Sequence, residues 1–342
     1  MRKGRYRVAQ WATGHTGMRS LQTVIDHPRY DLVGLYVYSE EKVGRDAGEI
    51  AGRGPTGVMA TRQIEDIIAA RPDCVIYMPL LDHVSIPDMC RLLESGINIV
   101  TTSTEFHHPP TMEPGRRRAL EDACARGNSS LYETGPGPGF IEENLPLTAM
   151  LLMRRLDRLQ IDQFADLSGR KSPEFIKKFF GVDRTTDMSE VAARSVPTDG
   201  AALRQLADTV GLPLDNITTA AKSALARKTT RIGVATIEAG SVGAWQMDVI
   251  GWREGKQFMT YSRTMYVVKD LEPAWDLRDT GWHVVIAGDA PLDIEIKFAK
   301  DNYDPISPGY NAHIAVNAVP AVCEAAPGIR VTSDLRLFPI FG

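Results

Sequence analysis

Cysteine is scarce in this chain. Cys74, Cys90, Cys124 and Cys323 are the four among 342 residues, and they lie far apart without paired spacing. Neither a disulfide framework nor a structural zinc site is indicated, and that usage fits a reducing cytoplasm. Long apolar runs are missing as well: a membrane span needs about 18 or more such residues, and the best stretch, 145–153, is interrupted by Pro146 and Thr148. The basic start Arg2-Lys3-Gly4-Arg5 is followed by an apolar stretch that reaches only Trp11, too short for a secretion signal. No excess of base exists to neutralise a phosphate backbone, since 39 Lys+Arg face 43 Asp+Glu for a net charge of −4. Nucleic acid is therefore not an expected partner, and the densest basic cluster, Arg116-Arg117-Arg118, reads as a solvated helix face. Internal repeats and low-complexity segments are absent too.

What is present is ordinary globular material, 43% hydrophobic and 24% charged, enough at roughly 100–200 residues per domain for two domains. Over residues 1–150 short apolar runs alternate with amphipathic stretches. This is the rhythm of strands and crossover helices in a doubly wound parallel sheet, a Rossmann-type α/β domain. Six strands are expected, at 6–11, 31–38, near 58–60, and at 74–79, 98–102 and 130–133. A helix is expected over 140–155. Beyond it, long alternating runs at 230–237, 242–252, 257–268, 283–288 and 292–298, with a glycine-containing turn at Arg253-Glu254-Gly255-Lys256, argue for an α+β domain built on an antiparallel sheet, 151–308. A last helix, about 309–325, opens a C-terminal segment, 309–342, expected to return toward the first domain.

The most informative local motif is Ala12-Thr13-Gly14-His15-Thr16-Gly17, directly after the first strand and before a helix. It matches G-x-G-x-x-G with alanine in the first place. Residues without bulk let the backbone approach a pyrophosphate, whose charge meets the positive end of the helix. A purely structural glycine turn is the alternative. Ribose recognition is expected after the second strand, where an NAD-selective site usually carries Asp or Glu. Here Ser39 stands at that place, with Lys42 and Arg45 able to neutralise a 2′-phosphate. These residues favour NADP, with NAD possible, against the reading that they form an ordinary charged surface loop.

The fifth strand runs into Thr101-Thr102-Ser103-Thr104-Glu105-Phe106-His107-His108-Pro109-Pro110. Ligands of open α/β sheets bind beyond the carboxyl ends of the strands, so Glu105 is the candidate acid/base group. Apolar neighbours around it would raise its pKa; a solvated or helix-capping carboxylate is the competing account. His107 and His108 suggest a metal, but adjacent side chains point apart and no third ligand is suitably spaced, so no metal is expected. Thr134-Gly135-Pro136-Gly137-Pro138-Gly139-Phe140 is a rigid turn free of bulk that could pass the nicotinamide. Pro79, Thr102, Gly137 and Asn317 complete the expected cofactor contacts. Phe140 and Phe164 are candidates for the substrate wall.

The glycine turn, the Thr-rich strand end with Glu105, the turn Gly137-Pro138-Gly139-Phe140 and the segment His313-Ile314-Ala315-Val316-Asn317-Ala318-Val319-Pro320 together resemble the dihydrodipicolinate reductase-like superfamily. Within it they are most similar to the branch of 2,4-diaminopentanoate dehydrogenase and the native amine dehydrogenases. There the glutamate matching Glu105 is regarded as catalytic. The matching turn commonly begins with asparagine where Gly137 stands, which removes any amide contact made by that side chain. The Gly-Thr-Gly and His-His-x-x-Lys signatures of dihydrodipicolinate reductase itself are not found at fitting places.

The resemblance implies reversible NAD(P)-dependent deamination of a small amine, or reductive amination of a ketone or aldehyde with ammonia, by a cytoplasmic homodimer. Two other readings stay open. One is a C=N or C=O reductase acting on a carboxylated substrate, held by Arg170-Lys171. The other is a non-catalytic NADP-binding sensor.

Overall fold

The computed structural model describes residues 4–103, 105–170, 173–182, 189–298 and 303–339. The chain divides into two compact units, one formed by residues 1–140 and 306–342 and the other by residues 141–305. The first boundary thus falls ten residues before the expected 150 and the second three before 309.

In the first unit, strands and helices alternate as β1 (Tyr6–Trp11), α1 (His15–Asp26), β2 (Tyr30–Tyr36), α2 (Ala47–Ala51), β3 (Ala60–Thr61), α3 (Ile64–Ala69), β4 (Cys74–Tyr77), α4 (Ile86–Glu94), β5 (Asn98–Thr101), α5 (Pro114–Gly127) and β6 (Ser130–Glu133). All four residues of β4 are buried, as are all four of β6, because helices cover both faces of a parallel sheet. One face packs Ala9, Trp11, Val75 and Ile99 against Ile67 of α3 and Met89, Leu92, Leu120 and Ala123 of α4 and α5.

The second unit contains α6 (Leu145–Ala149), β7 (Leu156–Asp166), α7 (Pro173–Phe179), α8 (Ser189–Ala193), α9 (Ala201–Thr209), β8 (Asn216–Ala226), β9 (Thr230–Ile232), β10 (Ala235–Ile237), β11 (Val242–Arg253), β12 (Lys256–Tyr266), β13 (Leu271–Glu272), β14 (Gly281–Gly288) and β15 (Leu292–Lys297). Its seven-stranded sheet runs β13-β8-β11-β12-β7-β14-β15. Two expectations change here. The helix expected over 140–155 is a π-helical turn, the short α6 and a 3-10 turn, after which the chain becomes β7. The sheet is mixed rather than antiparallel, because β12 pairs with β7 in parallel across an intervening stretch long enough to cross over. The run 230–237 splits into the small hairpin β9-β10. At the tip between β11 and β12, Glu254 (φ 52°) and Gly255 (φ 70°) both take the left-handed backbone that a tight two-residue hairpin turn requires. Within this unit Arg263 Nη2 lies 3.2 Å from Oδ1 of the buried Asp199, tying β12 to the turn at 196–200.

The chain ends with α10 (Tyr303–Cys323) and β16 (Gly328–Arg330). In α10, Ala315, Val316, Ala318, Val319 and Val322 bury against Tyr6, Tyr30, Ile76, Val100 and Tyr132 on the second face of the first unit's sheet. The Tyr30 hydroxyl donates to the carbonyl of Val316 at 2.8 Å. β16 then adds to β6 in parallel, completing the order β16-β6-β5-β4-β1-β2-β3.

One carboxylate organises the loop between β2 and β3. Asp46 caps α2 by accepting from the Gly48 amide at 2.7 Å, and reaches across to the amides of Thr56 (3.0 Å) and Gly57 (2.7 Å). Those amide bonds, Thr56 first, hold its carboxyl below the ordinary aspartate value. Its stabilising effect is therefore complete above about pH 4, the unfolded value, and disappears as pH falls through the lower folded one. Asp46→Ala is expected to melt below wild type at pH 7, with the gap closing below about pH 4 in thermal unfolding curves. A gap that stays constant down to strong acid would show that the carboxylate is not what holds the loop.

Candidate active site

The sheet of the first unit ends along one line. Trp11 pairs laterally with Tyr36 on one side and Tyr77 on the other, Tyr77 with Thr101, and Thr101 with Glu133. Strand order reverses between β1 and β4, so the crevice expected in such sheets opens over these residues.

The glycine turn occupies the start of that crevice, and its small residues do different jobs. Ala12 has φ 74°, the left-handed conformation that glycine adopts freely, which explains why the fingerprint normally places glycine there. At Gly17 a Cβ would stand 2.3 Å from the carbonyl oxygen of Ala12, so this glycine is required by close packing of α1 on β1. Gly14 is different. A Cβ there would meet nothing within 4 Å, and its backbone (φ −70°, ψ −169°) suits any residue. As N-cap of α1, it supplies no side-chain acceptor to the first-turn amides. A bare cap with open space above it fits a pyrophosphate on the positive end of a twelve-residue helix. Exposed His15 and half-buried Thr16 form the first turn of that helix.

After β2, Ser39 stands just before a 3-10 turn, Glu40–Lys42, and makes no side-chain cap to it. The Lys42 ammonium does not stand free: it donates to Thr13 Oγ1 at 2.9 Å, joining this loop to the glycine turn. Arg45 is exposed, and Glu40 is paired with Arg62 from beyond β3. Two cations, Lys42 and Arg62, thus converge on this short loop. Trp11 stacks on Tyr36 with centroids 3.7 Å apart, and its indole N–H donates to the Tyr38 hydroxyl at 3.0 Å. This aromatic floor was not foreseen from sequence, although the Tyr36-x-Tyr38 alternation carried its signal. Pro79 follows β4, half-buried.

Glu105 lies on the loop that leaves β5, but its surroundings differ from expectation. Apolar neighbours do not enclose it; the side chain is 47% exposed and pairs with Arg116 Nη1 at 2.9 Å. The enclosed carboxylate at this strand end is Glu133, the last residue of β6, 2% exposed. One of its oxygens accepts from the Phe106 amide, and the other lies 3.2 Å from His107 Nε2. His108 turns the other way, its Nδ1 lying 3.1 Å from Thr111 Oγ1. Sequence reasoning missed the His107–Glu133 contact because the two residues are far apart along the chain; a carboxylate terminating an otherwise apolar buried strand was the available sign. Among the described residues no group of three or more His, Cys, Asp or Glu is arranged to hold a metal.

Thr102 is half-buried beside the Thr134 amide, which donates to the carbonyl of Thr101 at 2.9 Å. The turn at 135–140 closes on itself: the Phe140 amide donates to the Gly135 carbonyl at 2.8 Å, and a Cβ at Gly139 would stand 2.6 Å from that same oxygen. Gly137 is half-buried at its tip. Asn317 is half-buried on α10, whose Asn311 approaches the same turn from the helix. Phe140 is half-buried at the end of this unit, whereas Phe164 belongs to β7 of the second unit. Arg170 is exposed, and Lys171 lies outside the described residues, as does Thr104.

Residues 200–340 match the 2,4-diaminopentanoate dehydrogenase C-terminal domain. The chain is 29% identical to an amine dehydrogenase of Streptomyces virginiae over 97% of its own length and 96% of the relative's. Among solved structures, an amine dehydrogenase from Mycobacterium smegmatis superposes with a TM-score of 0.77 at 21% identity, covering 99% of this chain and 98% of that one. The WlbA dehydrogenase of Bordetella pertussis, solved with NADH and UDP-GlcNAcA, shares the fold at TM-score 0.52 and 12% identity, with 93% and 88% covered. Over nearly its full length the chain is thus similar to an amine dehydrogenase, and over its C-terminal part to 2,4-diaminopentanoate dehydrogenase.

Proposed function

We propose that the chain is an NAD(P)-dependent amine dehydrogenase, interconverting a small amine and water with a ketone or aldehyde and ammonia. The observation that carries this reading is a carboxylate, Glu105, borne on a loop at the carboxyl end of the same sheet whose first turn leaves Gly14 bare and open. Full-length similarity to an amine dehydrogenase supports the reaction class, and the NADH-bound relative of the same fold supports a nicotinamide cofactor. The cofactor, when bound, accepts or supplies the hydride. Gly14 and the first-turn amides of α1 would hold its pyrophosphate, and Ser39, Lys42 and Arg45 its ribose end, with NADP preferred for the two cations. Reaction as a cytoplasmic homodimer is part of the same reading, and four free cysteines are consistent with a reducing compartment.

The chemistry requires that ammonia be a free nucleophile, that a carbinolamine lose water, and that an iminium carbon take the hydride. Glu105 accepts the proton of ammonium, returns it to the departing hydroxyl and stabilises the iminium charge by proximity. Its ion pair with Arg116 does not prevent this. A half-exposed pair of this kind contributes roughly 0–1 kcal/mol, so the carboxylate can exchange the guanidinium for a substrate nitrogen at little cost.

Glu105→Gln keeps the shape and removes the titrating oxygen. It is expected to lower kcat by about 10²-fold or more, leaving the dissociation constant for NADP nearly unchanged. Turnover close to wild type would remove Glu105 from the mechanism.

Gly14→Val is expected to fold with a melting temperature lowered by only a few degrees, because its Cβ meets no protein atom and only the N-cap preference of α1 is lost, and yet to weaken dinucleotide binding at least about tenfold in a fluorescence titration. Unchanged binding would make the turn purely structural. Lys42→Ala should weaken NADP by roughly 10-fold or more, because a charge-assisted bond contributes about 1.5–3 kcal/mol, while NAD is less affected. Ser39→Asp should reverse the preference toward NAD. If the ratio of the two dissociation constants is the same in wild type and both variants, this loop does not read the ribose.

A further inference from the structure

The loop that carries Glu105 is fixed unevenly. Before Glu105, the Ser103 amide donates to Thr101 Oγ1 at 3.0 Å and the Glu105 amide to the Ser103 carbonyl at 3.2 Å, a local turn on the end of β5. After it, the anchor comes from the neighbouring strand. Glu133 accepts from the Phe106 amide with one carboxylate oxygen and presents the other to His107 Nε2, while the Phe106 ring is buried in the core over β4 and β5. Glu133 and His107 are 2% and 5% exposed. Burying a carboxylate is costly unless charge-assisted bonds repay it, and an apolar residue would complete β6 more cheaply. The charge is spent on the two residues that immediately follow Glu105.

We propose that Glu133 is a positioning residue for Glu105: by holding the Phe106 amide and His107 it sets where the Glu105 carboxylate stands. The inference rests on Glu105 being the proton-handling group. Glu133 touches neither substrate nor cofactor in this scheme. Its effect is geometric, and a displacement of about 1 Å at a reacting group costs on the order of 10²-fold in rate.

The test is a double-mutant cycle on the full chain, with Glu133→Ala, Glu133→Asp and Glu133→Gln made in wild-type and Glu105→Gln backgrounds. Amine oxidation kinetics, NADP dissociation constants and hydrogen exchange of the peptide spanning 102–108 are read for each. Glu133→Ala is expected to lower kcat about 10- to 100-fold, to change NADP affinity less than about threefold and to accelerate exchange in that peptide. Glu133→Gln, whose amide oxygen still accepts from Phe106, recovers most of the rate. In the Glu105→Gln background the alanine change costs no further kcat. If Glu133→Ala fails to fold, Glu133→Asp, which retracts the acceptor by one methylene, carries the same expectations with a smaller loss. Equal losses in both backgrounds, or no loss in the wild-type background, overturn the proposal with Glu105 still catalytic. Wild-type turnover in Glu105→Gln is the distinct signature of a failed Glu105 assignment, and a slow Glu133→Ala enzyme beside it would overturn the positioning role as well.

Discussion

The parallel hydrogen-bond ladder of the first unit is the constraint on which the rest depends. It forces Trp11, Tyr77, Thr101 and Glu133 to finish side by side, although they are scattered over more than a hundred residues of chain. Three elements hang from these ends: the glycine turn from Trp11, the Glu105 loop from Thr101, and the glycine-proline turn from Glu133. Lateral pairing also puts Glu133 beside β5, where its carboxylate reaches Phe106 and His107. Register thus becomes site geometry without any loop having to be long.

Glycine placement shows how fold and ligand divide the demands on one short segment. Gly17 answers to the protein, since a Cβ would collide with the Ala12 carbonyl; Gly14 answers to nothing in the protein. A residue that is small where the chain itself has room leaves space for the proposed pyrophosphate. Lys42 couples the two halves of the proposed cofactor site, because its ammonium ties the loop after β2 to Thr13. Asp46 anchors that loop from behind through backbone amides.

Two carboxylates of the first unit, Glu105 and Glu133, differ sharply in exposure. Glu105 is held by a weak, solvated pair with Arg116 and is free to change partners, whereas Glu133 is enclosed and committed to an amide and an imidazole. A group that must exchange protons benefits from the former condition, and a group that must hold a loop still benefits from the latter.

Much was legible from sequence where the signal is local. Apolar strands alternating with amphipathic helices gave the doubly wound unit, and the residues 12–17 are recognisable because a strand, a bulk-free turn and a helix follow one another within a few residues. The Arg253–Lys256 hairpin was legible for the same reason, since positive backbone angles at its tip suit glycine. Strands β7 and β8 escaped notice because half their residues face out as polar or small side chains, which leaves no apolar run. The three-residue β16 is too short to carry a pattern, and its pairing with β6 is settled by where α10 delivers the chain. Sequence by itself determined the order of β1 to β6, the glycine turn and the candidate carboxylate Glu105, because each depends on neighbours a few residues away. Only the tertiary structure decided that Glu105 is exposed and paired with Arg116, that Glu133 is the buried partner of His107, and that the second sheet is mixed, because burial, ion pairing and strand direction are set by segments that meet only when the chain folds.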